Sequence, residues 1–91
     1  MSKMFERLKF LYSYAKILNA CLEPCNAYWL CIKAKIGYND YKKYMPVLER
    51  CGLISVKAVD GRNTKIHVTT KKGREFLHRI NQALKLLEDE Q

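Results

Sequence analysis

The sequence predicts a mostly helical α+β domain: three helices, a β-hairpin and a closing helix. Three observations predict it. Apolar residues recur at helical spacing in four separate stretches. Between the third and fourth of these, two short runs alternate as strands do, around a turn that contains glycine. The four glycines, at positions 37, 52, 61 and 73, each stand near a boundary between elements. With 91 residues the chain is long enough for one domain and too short for two.

Residues 3–22 read as the first helix, carried by Phe5, Leu8, Leu11, Ala15, Leu18 and Leu22. Glu23-Pro24 ends it, because the residue before a proline avoids helical backbone angles. The second helix covers 26–36, with Asn26 as its N-cap and Trp29, Leu30, Ala34 and Ile36 as its apolar surface. Gly37 breaks it. Residues 38–51 form the third helix. Tyr41, Tyr44, Met45 and Leu48 make its inner stripe, leaving Asn39, Lys42, Lys43 and Arg50 outside. Pro46 removes a backbone donor and predicts a kink or a split there. Gly52 suits a left-handed cap.

Residues 53–59 and 64–69 then read as two strands joined by Asp60-Gly61-Arg62-Asn63, with Ile66 and Val68 on one face. The last helix covers 71–89. There Phe76, Ile80, Ala83 and Leu87 fall at alternating spacings of four and three, a short a/d seam.

Composition narrows the function. A 48% apolar and 29% charged chain is that of a folded protein. Its 17 basic and 9 acidic residues give a net charge of +8. Three of the acids, Glu88, Asp89 and Glu90, crowd the end, so residues 1–87 carry 17 basic against 6 acidic residues. That imbalance suits a polyanion partner. No 18-residue apolar run predicts a membrane helix, and the charged N-terminus lacks a signal peptide's apolar core, so a cytoplasmic location is expected.

Helices two and three around Gly37 form a helix-turn-helix, and the basic hairpin after them is a wing. In this winged-helix arrangement the third helix would enter the major groove of double-stranded DNA, presenting Tyr38, Asn39, Lys42 and Lys43. Asn can pair with adenine, and Lys can donate to guanine or phosphate. Lys57, Arg62 and Lys65 on the wing would reach phosphates or the minor groove. A sequence-specific transcription regulator is the leading expectation. A chromatin-type DNA coat and a protein-interaction module are the alternatives. No enzyme site can be assembled, and no Gly-rich phosphate loop or cofactor site is present in the sequence.

The stretches Ile17-Leu18-Asn19-Ala20-Cys21, Ala34-Lys35-Ile36-Gly37-Tyr38, Leu48-Glu49-Arg50-Cys51-Gly52-Leu53-Ile54 and Thr70-Lys71-Lys72-Gly73-Arg74-Glu75-Phe76-Leu77 carry a family resemblance. Across residues 8–88 the chain resembles the small dimeric winged-helix DNA-binding proteins of crenarchaea and of the viruses and plasmids that infect them. The resemblance implies a homodimer in which the last helix pairs with its mate through Phe76, Ile80, Ala83, Leu84 and Leu87. Pro46 and the shortness of the last helix depart from the pattern.

Cys21, Cys25, Cys31 and Cys51 leave three readings open. They could be free thiols in the core. The thermophile resemblance also allows one disulfide, between Cys25 and either Cys21 or Cys31. A zinc site lacks the paired C-x2-C spacing, so no metal is expected. His67, on the wing, and His78, on the last helix, read as solvent or phosphate contacts. The tyrosines on the helices read as packing residues, although aromatics can also stack on bases.

Overall fold

The computed structural model describes the backbone of residues 2–59, 61 and 64–88, and the side chains of 10–59, 61 and 64–87. The order is α1 (Ser2–Ala20), α2 (Ala27–Ala34), α3 (Tyr38–Arg50), β1 (Ile54–Ala58), β2 (Lys65–Thr69) and α4 (Lys71–Glu88). The expected order of elements is therefore the observed one.

Helix α1 lies at the centre and touches α2, α3 and α4. Neighbours on several sides bury more of it than one stripe, so Ile17, Ala20 and Cys21 join Ala15 and Leu18 in the core. Leu22, expected in that stripe, is exposed because α1 ends two residues earlier. Ile17, Leu18, Leu30, Leu48 and Ile54 are fully buried, and each such side chain contributes about 1.5–3 kcal/mol. The end of α1 is tied to β2. The Thr69 hydroxyl donates to the Leu18 carbonyl at 2.7 Å, and the Thr69 amide donates to the Cys21 carbonyl at 2.8 Å.

Asn26 caps α2, its side-chain oxygen accepting from the Trp29 amide at 2.9 Å. Leu30 and Ala34 turn inward, whereas Trp29, expected to supply apolar surface, stays 53% exposed beside Tyr28. The helix ends at Lys35, which adopts left-handed angles (φ 57°, ψ 49°). Gly37 instead begins α3 in an extended conformation. Helix α3 closes with two nested bonds: the Gly52 amide donates to the Glu49 carbonyl, and the Leu53 amide to the Leu48 carbonyl. This is the Schellman geometry, and it explains the positive φ of Gly52. Pro46 does not split α3. Exposed Pro46 lies between buried Met45 and buried Leu48, which hold the helix to the core on either side of it.

Strands β1 and β2 pair antiparallel, from Ile54↔Thr69 to Ala58↔Lys65. The alternation of β2 is as expected, with Ile66 and Val68 on one face, but the opposite face is the more deeply buried. His67 and Thr69 face inward and are buried, while Ile66 and Val68 are half-buried. The reason is polar: both inward residues find buried hydrogen-bond partners. Gly61 has φ of +72°, as the turn requires. Asp60, Arg62 and Asn63 lie outside the described residues.

Thr70 opens α4. Its oxygen accepts from the Gly73 amide at 3.0 Å, and its hydroxyl donates to the Gly52 carbonyl at 2.6 Å. All four cysteines are free thiols. Of the readings left open for them, free thiols is the one seen here: no bond joins Cys25 to Cys21 or Cys31. Burial, and after it the neighbouring Cys25, push the Cys21 thiol above its ordinary range.

Candidate nucleic-acid interface

The N-terminal half of α3 presents a polar, aromatic and cationic surface. Tyr38 is 62% exposed, and Asn39, Lys42 and Lys43 are also exposed. Tyr38 stacks on Tyr41, with ring centroids 5.5 Å apart and planes inclined by 19°. The Lys42 ammonium lies 5.2 Å from the centre of the Tyr38 ring. Such a cation–π contact steadies a lysine without neutralising it.

The four predicted residues do not all look the same way. Lys42 joins Tyr41, Glu49, Val56, Lys65 and His67 in a cleft between α3 and the wing. Lys43 turns to the α1 flank, its ammonium 5.2 Å from the Phe10 ring and 5.3 Å from the Tyr44 ring. Phe10, Tyr14 and Tyr44 pack together there.

The wing also divides. Directly paired residues share a face of the hairpin. Lys65, opposite Ala58, faces α3 with Val56 and His67; Lys57, opposite Ile66, takes the other side. The sequence grouped Lys57, Arg62 and Lys65 together; the fold brings Lys65 alone towards Lys42, and Arg62 lies outside the described residues.

A second cleft of about 500 Å³ joins the start of α2 to this surface. Asn26, Ala27, Tyr28, Tyr38, Thr64 and Lys65 line it. It places the positive end of α2 beside Lys65 and two tyrosines, a suitable lining for a phosphate. Sequence reasoning missed Asn26, Ala27 and Tyr28 as site residues, because only the fold sets the start of α2 against the wing.

His67 is the clearest correction. The expected solvent or phosphate contact is in fact fully buried. Its Nδ1 lies 3.1 Å from the Cys25 carbonyl oxygen, and its Nε2 lies 2.7 Å from the Tyr41 hydroxyl. Burial lowers its pKa below the ordinary histidine value. Tyr41 lies on α3, so His67 links the wing to the helix that carries the site.

Between α1 and α4, Phe76, Ile80, Ala83, Leu84 and Leu87 of α4 line an apolar groove with Leu11 and Tyr12 of α1. Leu87 is 67% exposed. Among the described residues no group of three or more His, Cys, Asp or Glu could hold a metal ion. No described helix is long and apolar enough to cross a membrane.

A helix-turn-helix followed at once by a two-stranded wing defines a winged-helix protein. The chain belongs to the winged helix-turn-helix family, whose model matches residues 12–88. Two solved structures are similar to it. One is Sso10a-2, a DNA-binding protein from Sulfolobus solfataricus, 25% identical, with a TM-score of 0.79, covering 87% of this chain and 81% of that one. The other is a PadR family transcriptional regulator from Eggerthella lenta DSM 2243, also 25% identical, with a TM-score of 0.72, covering 97% of this chain and 81% of that one. No protein of curated function matches. The Sulfolobus structure meets the crenarchaeal resemblance carried by the sequence motifs.

Proposed function

We propose that the protein is a sequence-specific transcription regulator that binds double-stranded DNA, with α3 in the major groove and the wing on the backbone or minor groove. The observation that carries this reading is the convergence of Tyr38, Lys42 and Lys65 with the start of α2 on one surface. Asn39, exposed in the first turn of α3, is placed to pair with adenine, and Lys42 to donate to guanine or phosphate. The names of both similar structures support a DNA-binding role. They divide on its kind: one is called a DNA-binding protein, the other a transcriptional regulator. A coating protein with little sequence preference is therefore the second reading.

The same proposal includes a homodimer. The occupant of the α4 groove is the α4 of a second copy, because Phe76, Ile80, Ala83 and Leu87 repeat at the a/d spacing that two helices share.

The test is a fluorescence-anisotropy titration of a labelled promoter duplex and a random duplex across a salt series. Salt-weakened binding that favours the promoter is expected. Equal affinity for both duplexes would select the coating protein, and no binding to either would reject the DNA-binding reading. Each phosphate contact contributes about 0.9 to the log–log salt slope. Lys42→Ala and Lys65→Ala are each expected to lower the slope by about one. Lys57→Ala, on the opposite face of the wing, is expected to change it less.

A further inference from the structure

We propose that His67, from inside the protein, sets the pose of the recognition helix against the wing by holding Tyr41; this rests on the DNA-binding reading above. The backbone of β2 at His67 is fastened to the α1–α2 connection in both directions. The His67 amide donates to the Cys25 carbonyl at 2.8 Å, and the Cys25 amide donates to the His67 carbonyl at 3.1 Å. The imidazole is therefore laid down in a fixed place.

Its tautomer follows from its partners. The Cys25 carbonyl can only accept, so Nδ1 carries the hydrogen. In the neutral ring Nε2 is then an acceptor, and the Tyr41 hydroxyl donates to it at 2.7 Å. Both ring nitrogens are satisfied, and among the described residues no buried side-chain polar atom lacks a partner. A leucine or phenylalanine could fill this space, but neither could accept from Tyr41.

From Tyr41 the order propagates outward. The Tyr41 ring meets His67 edge-on at 5.5 Å and stacks on Tyr38, over which Lys42 lies. A buried wing residue thus reaches two exposed side chains of the interface through one half-buried phenol. Protonation of His67 would turn Nε2 into a donor aimed at the Tyr41 oxygen, and the tyrosine hydrogen would lose its acceptor.

Several groups face this pair. Glu49 and Lys42 approach from α3, and Lys65 from β2 itself. Cys25 lies in the connection, the Cys21 and Cys31 thiols are near Tyr41, and the Tyr28 and Tyr38 phenols border the outer cleft. Lys42 and Lys65 oppose a charge on His67, and Glu49 favours one.

The experiment titrates a labelled duplex with wild type, Tyr41→Phe, His67→Phe and Lys42→Ala, at about pH 7.5 and about pH 5.5, on either side of the ordinary histidine range. Circular dichroism checks that each variant is folded. Tyr41→Phe is expected to raise Kd about two- to tenfold at the upper pH, the size of one ordinary hydrogen bond. Wild-type affinity is expected to fall on acidification, and to fall less in Tyr41→Phe and His67→Phe.

Equal affinity of wild type and Tyr41→Phe would overturn the proposal, as would stronger wild-type binding at low pH, the behaviour of an exposed histidine near phosphate. If Lys42→Ala weakens binding while Tyr41→Phe does not, the positioning role alone fails. If wild type binds no duplex, the DNA-binding reading fails and takes the proposal with it. An ¹⁵N spectrum of the free wild-type imidazole is independent of both DNA and variant folding. The neutral ring is expected to carry its hydrogen on Nδ1, and a neutral ring protonated on Nε2 would overturn the proposal.

Discussion

Gly73 shows how much a single residue can fix. It lies in the first turn of α4, where a Cβ would collide with the Leu53 carbonyl oxygen and stand 2.7 Å from the Thr69 methyl carbon. The end of the α3–β1 connection and the start of α4 touch through this one position. Glycine to alanine inside a helix ordinarily stabilises by about 1 kcal/mol. Here Gly73→Ala is expected to destabilise by about 2–3 kcal/mol, the cost of overpacking. A thermal melt checks it, and any rise in Tm would show that the approach is not that close.

His67 carries a second prediction at this scale. Its folded pKa lies below its unfolded value near 6.5, because burial disfavours the imidazolium. Between those two values the unfolded chain binds more protons than the native one, so stability rises with pH. The contribution is complete above the unfolded value and is lost as pH falls towards the folded one. Melting wild type and His67→Phe from about pH 7.5 to about pH 5 should show a decline in the first that is shallower in the second.

Helix α3 is an element whose regularity comes from its surroundings. Pro46 has no amide to donate to the Lys42 carbonyl, and its ring crowds the preceding turn, which costs up to about 3 kcal/mol in a helix interior. The helix nevertheless runs from Tyr38 to Arg50, held by Met45 and Leu48 and closed by the Gly52 motif. Pro46→Ala is therefore expected to stabilise the domain by about 1–3 kcal/mol, read as a raised urea midpoint with an unchanged m-value. A midpoint that stays put would mean the proline strain is already relieved. The hairpin obeys its surroundings too. Its inner face is set by what α1 and α3 offer, a free Leu18 carbonyl for Thr69 and the Tyr41 hydroxyl for His67.

The whole molecule separates two surfaces. The cationic clefts lie between α2, α3 and the wing, and the apolar groove lies between α1 and α4. The side chains proposed to meet DNA and those proposed to pair two copies can therefore be substituted separately. Helix α4, at 18 residues, is about 27 Å long, enough for two heptads of contact. If two copies pair through α4 as proposed, Leu84→Glu, in this groove and away from the clefts, is expected to shift the protein from dimer to monomer in analytical ultracentrifugation. A fully dimeric variant would place the association surface elsewhere. Because a dimer doubles the phosphate contacts, the monomeric variant should also show a shallower salt slope.

The sequence by itself determined the order of the elements, their ends to within a few residues, and the winged-helix class. Helical periodicity, Asn26, Gly52 and the turn at Gly61 are local signals, written within a few residues of where they act. It also determined which residues of α3 stay in solvent, since Asn39, Lys42 and Lys43 oppose a readable apolar stripe. Only the tertiary structure decided the rest. Lys35 takes the left-handed angles, although Gly37 was the residue suited to them, because the path of the α2–α3 turn sets which residue does so. Lys65 faces Lys42 while Lys57 does not, because strand register decides which side of the wing each occupies. His67 is inside rather than outside because its two partners, Cys25 and Tyr41, are 42 and 26 residues away in the chain. Local pattern weighs a histidine as polar and sends it to solvent, but only the fold can bring a carbonyl and a hydroxyl from that far to satisfy both its nitrogens.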